Sequence, residues 1–145
     1  MTDVFAAEAA IVARLRAQVP DLAHVLTVNE LAGFNEIGDL LPAAVVMPMG
    51  ATVTEPPHDG RVQIETQTWQ VVLMVGHSQD ETGQDTTILR AGALVYAMSV
   101  ALIGWRPAAG YSTLAYSGRP DPYYEPGYAE FPIEFETVLT FVGAG

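Results

Sequence analysis

Cysteine and lysine are both missing from this chain of 145 residues. Without cysteine there is no disulfide framework, no thiol nucleophile and no cysteine-based zinc site, a composition that fits a reducing compartment. Without lysine the phosphate-binding loop G-x-x-x-x-G-K-[ST] cannot occur, and neither a G-x-S-x-G elbow nor a G-x-G-x-x-G turn behind a strand is found. Positive charge is scarce: six arginines stand against seventeen carboxylates, for a net charge of −11. Such a surface repels phosphate backbones and anionic lipid, which argues against nucleic-acid binding without sequence preference. The most apolar stretch, Ala91 to Ile103, is too short to span a bilayer and is bracketed by Arg90 and Arg106. No basic residue precedes Arg14, so the amino terminus does not read as a secretory signal. The expectation is a soluble, unexported protein of one domain over residues 1–145, long enough to bury about two thirds of its unfolded surface.

Chemistry-bearing clusters are equally sparse. His24, His58 and His77 are scattered, with no pair at helical i, i+4 spacing, so no metal site is expected. Asp80, Glu81 and Asp85 surround Gly83 but lack the alternating ligands and terminal glutamate of a calcium loop; they read as a solvated loop leading to a helix cap. Nothing in the spacing of the acids singles out a pair for glycoside hydrolysis. His77, at the end of the expected central strand, is the best single candidate for a general base, and its ordinary reading is a structural or solvated residue. No catalytic, cofactor-binding or metal-binding residue is therefore assigned, and no enzymatic role is expected.

What is present is a pattern of helices and strands. Arg61 to Val75, RVQIETQTWQVVLMV, is rich in β-branched and aromatic residues and predicts the central strand or strand pair of a sheet. Val62 and Ile64 share one parity and Trp69, Val71, Leu73 and Val75 the other, which predicts a bulge or tight turn within Glu65 to Thr68. From Val71 to Val75 both parities are apolar, so both faces are covered there, by a helix on one side and by more protein or another subunit on the other. Asp3 to Val19 has a helical stripe of Val4, Phe5, Glu8, Ile11, Val12, Leu15 and Val19, capped by Thr2 or Asp3 and ended by Pro20. HVLTV, His24 to Val28, is a short candidate strand.

Asn29 to Leu41 mixes Gly33, Asn35, Gly38 and Asp39 with Leu31, Phe34 and Ile37 and reads as a loop. It either folds over the core or meets a partner, and the partner is favoured. PAAVVMPM, Pro42 to Met49, predicts a strand that is entered abruptly or lies toward an edge. Ala51 to Gly60 reads as a turn-rich connector containing Pro56, Pro57, His58 and Asp59, and Gly76 to Gly83 as a polar loop. A second helix from about Gln84 to Ile103, capped by Thr82 or Asp85 and stopped by Gly104, is apolar nearly all the way round. It is expected to be deeply buried, with small residues at 91, 92, 93, 97 and 101 letting it wedge between the sheet and the first helix. Trp105 to Gly127 is irregular, with Ser112 to Ser117 a candidate strand. The tyrosines of PDPYYEPGY, Pro120 to Tyr128, suit an interface, or else a plain solvated turn. The closing strand alternates Phe131, Ile133, Phe135, Leu139 and Phe141 with Glu130, Glu134, Glu136 and Thr140: one face core, one wet, its glutamates guarding an edge.

The order IVARLRAQVPDL, LTVNEL, PAAVVMPMG, WQVVLMV, a long apolar helix and FPIEFETVLTF resembles the tail terminator proteins of long-tailed phages, in particular the small terminators of Mu-like phages and related prophages. The resemblance spans Ile11 to Phe141 and rests on element order and hydrophobic pattern. It implies an α+β fold, a mostly antiparallel or mixed sheet with two helices packed on one face. It also implies six copies forming a ring on the head-proximal end of the tail tube, assembled in the host cytoplasm and retained at the tail-neck region of the virion. The ring would stop tube polymerisation and meet tube and neck or head-completion proteins, with no cofactor and no membrane. The residues expected to make ring or tube contacts are Phe34, Ile37, Trp105, Tyr111, Tyr123 and Tyr124. An acidic lumen would let DNA pass without specific binding, provided that Arg61, Arg90 and Arg119 do not line it. The alternatives are another neck connector or tail completion protein, a small soluble module holding an apolar ligand, and a carboxylate-dependent hydrolase.

Overall fold

Strand β3, Val62–Gly76, has partners along both sides for most of its length: β2 (Ala43–Val53) on one and β6 (Tyr128–Val142) on the other, both antiparallel. This and the rest of the fold come from a computed structural model that describes residues 3–54 and 60–144. β1 (His24–Thr27) adds in parallel outside β2, while β4 (Ala115–Gly118) and β5 (Tyr123–Glu125) pair antiparallel with the outer side of β6. The sheet order is β1-β2-β3-β6-β4, a mixed and mostly antiparallel sheet within an α+β fold.

Helices α1 (Ala6–Gln18) and α3 (Thr87–Leu102) lie side by side on one face of this sheet. The odd-numbered side chains of β3 and β6 point at them, so Trp69, Val71, Leu73, Ile133, Phe135 and Leu139 form one core with Ile11 and Leu15 of α1 and Leu94, Met98 and Leu102 of α3. Arg14 and Arg16 stitch the layers together. Arg14 Nε donates to the Ala101 carbonyl at 2.9 Å, near the negative end of α3, and its guanidinium lies 5.4 Å above the Trp105 ring. Arg16 Nη2 donates to the Val25 carbonyl at 2.8 Å and holds the end of α1 on β1.

β3 contains no bulge or turn between Glu65 and Thr68: it pairs with β6 without a slip from Val62↔Val142 to Gly76↔Tyr128. The apparent change of parity arises because Val62 and Ile64 lie on the face away from the helices. The irregularity is on β2, between Pro48 and Gly50, where proline lacks a ladder donor and Gly50 takes φ +118°. β1 pairs only with Ala43 to Val46, so Pro48 lies where β2 has become an edge. β2 itself runs on to Val53, into what the sequence suggested was connector; Pro56, Pro57, His58 and Asp59 lie outside the described residues, as does Thr2.

Asn29 to Leu41 is not a plain loop. It contains α2 (Val28–Ala32), opened by a capping box between Thr27 and Glu30, and a 3₁₀ turn at Ile37–Leu40. Leu31, Ile37 and Leu41 pack on Val45, Val72 and Met74, so the second cover over this end of the sheet is the chain's own. The tyrosine-rich loop is likewise a hairpin: β5 meets β6 through Pro126 and Gly127, with Gly127 at φ +88° as a type II turn requires. β6 is flanked by β3 and by β4 and β5, so its glutamates guard no edge. α1 starts at Ala6 and leaves Phe5 exposed; Asp3 Oδ1 accepts the Phe5 amide just before it. Trimming the fully buried Phe135 to alanine is expected to cost about 3–5 kcal/mol, measured by urea unfolding; a loss below about 1 kcal/mol would place that ring outside the core.

Candidate interaction surface

The polar groups that sequence marks out are engaged in holding the fold. His77 Nε2 donates to the Glu125 carbonyl at 3.0 Å, and His24 Nδ1 to the Leu40 carbonyl at 3.1 Å. Asp80 Oδ1 accepts the Thr82 hydroxyl at 2.6 Å and the amides of Thr82 and Gln84 at 2.9 Å each, a turn closed on itself. These bonds, the Thr82 hydroxyl first, hold its carboxyl below the usual range. Asp85 Oδ1 accepts the Thr87 amide at the start of α3. Deeper in, Trp69 Nε1 donates to Gln67, and Gln67 and the Tyr111 hydroxyl both donate to the Val4 carbonyl, anchoring the start of the chain. Burial raises the Tyr111 hydroxyl's pKa, so this group stays a donor. Among the described residues no group of three or more histidines and carboxylates is placed to hold a metal ion, and no helix is long and apolar enough to cross a membrane.

The surface of α3 is different. The helix is not buried all round: one side faces the core, while Ile88, Tyr96, Val100 and Ile103 form an exposed apolar stripe at near i, i+4 spacing, with Tyr96 73% exposed. Tyr116 of β4, Phe131 of β6 and Arg119 face it across an open groove of about 450 Å³. Tyr116 and Phe135 meet edge to face at 5.9 Å, which fixes the far wall of the groove. Gly92 lies on its floor, and nothing stands within 4 Å of where a Cβ would be. A glycine inside a helix costs about 1 kcal/mol relative to alanine, and no packing among the described residues requires it here.

The six residues expected at contacts are scattered. Phe34 is 46% exposed beyond the end of α2, whereas Ile37 is half-buried against the sheet. Trp105 is half-buried under Arg14. Tyr111 is 2% exposed and belongs to the core. Tyr123 and Tyr124 are both exposed, but on opposite faces of the sheet: Tyr123 stands opposite Glu130, and Tyr124 packs edge to face with Phe131. The α3 stripe was missed because an all-round apolar helix reads as buried; Gly92 and the tyrosine at 96 were the signals against that.

Around Tyr123 the acids crowd. Burial first, then the charge of Glu125, raises the pKa of Glu130. The fold therefore favours protonated Glu130, and its contribution to stability is greatest at low pH and falls as pH rises through the raised value. Glu130→Gln is expected to match or exceed the parent in melting temperature at pH 7, with the difference shrinking below about pH 4; a variant less stable at pH 7 and equal at pH 4 would reverse that sign.

No curated protein matches the chain. The family model described as phage tail terminator protein matches residues 1–142. The chain thus belongs to the phage tail terminator family, proteins with a structural role in the phage tail.

Proposed function

We propose that the chain closes the head-proximal end of the tail tube as a homo-oligomeric ring of six copies, ending tube polymerisation and presenting a joint to the neck or head-completion proteins. In this reading it assembles in the host cytoplasm and remains at the tail-neck junction of the virion. Family membership supports the reading, and the observation that carries it is the apolar α3 face that the described residues leave uncovered. Exposed apolar area of this kind marks a contact with another protein. The groove beside it is open along its length, which suits a protruding side chain better than a small molecule, since ligand pockets enclose most of what they bind.

Six chains of charge −11 make a strongly acidic ring. Strands β2, β3 and β6 contain no arginine, and Thr66, Thr68, Gln70, Glu134 and Glu136 face away from the helices. With the helices outward, this polar sheet face forms the wall of the channel, and DNA passes without adhering.

Light scattering tests the ring. The expected particle is six times 15.5 kDa, alone or with tube protein; a chain that stays monomeric at every concentration and in the presence of tube protein defeats the reading. The channel wall has its own check in a duplex DNA retention assay at low salt. The parent ring is expected to retain none, and the Glu134→Lys/Glu136→Lys double variant to retain DNA in a salt-dependent way. Retention by the parent would contradict an acidic wall.

A further inference from the structure

We infer that the groove on the outer face of α3 receives the Phe34 segment of the neighbouring copy, with Arg119 at its rim meeting that copy's Glu36. The inference rests on the ring reading and assigns its seam.

Three observations carry it. Gly92 is the first. It lies mid-helix with a helical backbone and open space above it, so no contact among the described residues excludes a side chain there, while a large side chain arriving from outside needs that space. The second is charge. Of six arginines, Arg14 and Arg16 are already bonded to carbonyls inside the fold, whereas Arg119 stands exposed at the rim of an apolar groove and makes no hydrogen bond or ion pair with the described residues. Copies of a chain with charge −11 repel one another unless the few cations lie at the seams opposite carboxylates. Phe34 is an exposed aromatic followed by Glu36 and Asp39, and no arginine occurs between Arg16 and Arg61. An apolar knob with an acidic flank matches an apolar groove with a cationic rim.

Topology is the third. α2 packs on β1 and β2, at one end of the strand order, and the groove lies over β6 and β4, at the other. Two different patches on opposite edges make a head-to-tail contact, the kind that closes into a ring; a self-complementary patch would stop at a dimer.

Because the chain has no native cysteine, the full-length Asn35→Cys/Tyr96→Cys double variant, which keeps Phe34, can be oxidised and its products resolved on a denaturing gel. A ladder of covalent species up to six chains is expected, with each single variant giving no more than a dimer. The two positions lie at opposite ends of the sheet, so no bond within one chain competes. In parallel, Gly92→Leu is expected to melt at or above the parent temperature while raising the concentration needed for assembly by about tenfold or more, because it fills the groove and favours the helix. If the parent assembles but the double variant gives no ladder, or if Gly92→Leu assembles as the parent does, the seam lies elsewhere and the ring reading stands. A parent that never assembles removes both.

Discussion

A helix that is apolar around most of its circumference cannot be satisfied by one sheet. α3 lies on β3 and β6 with α1 against one flank, and these neighbours cover Ala91, Leu94, Met98, Ala101 and Leu102. The opposite flank, Ile88 to Ile103, faces Tyr116, Arg119 and Phe131 across a groove. The core is complete without it: Trp69, Phe135, Leu73 and Ile133 are fully buried, and no buried side-chain polar atom among the described residues lacks a partner. The fold is therefore finished while its surface is not. The groove beside that flank is lined mainly by apolar side chains, with Arg119 at its rim.

Charge follows the same division. Arg14 and Arg16 of α1 are bonded to the Ala101 and Val25 carbonyls, where each ties α1 to another element. The sheet face away from the helices carries Glu130, Glu134 and Glu136 in alternation, each held in a strand flanked on both sides. An acidic, threonine-bearing sheet face on one side and an apolar helical flank on the other suit the proposed ring of copies around a path for DNA. Neither feature requires turnover, which agrees with a family whose role in the tail is structural.

The fold was largely legible in the sequence because its strongest signals are local and periodic. The alternation from Phe131 to Phe141 and the run from Trp69 to Val75 give β6 and β3 almost as observed. Pro20 and Gly104 end the two long helices where expected, Gly104 at φ +75°. Elements set by pairing with distant residues were less legible. β5 exists only because Tyr123 to Glu125 lie against Tyr128 to Glu130, and Val62 and Ile64 could be assigned to a face only once β6 was known to run alongside without a slip. α2 was obscured by glycine and asparagine on its carboxyl side, although the Thr27 and Glu30 capping box was present in the sequence. Contact residues were read from aromatic content, which drew in the exposed Phe34 and also Tyr111, a core residue whose hydroxyl holds the Val4 carbonyl. Aromatic content does not distinguish a ring facing the core from one facing a partner. That distinction appears only when the helix is set on its sheet.

The central claim is that the Ile88 to Ile103 face of α3 is open in the isolated chain and covered in the assembled tail. Hydroxyl-radical footprinting read at Tyr96 tests it most directly, since that ring is 73% exposed. Strong modification in the isolated chain and clear protection in assembled tails is the expected result; equal modification of Tyr96 in both states would contradict the account.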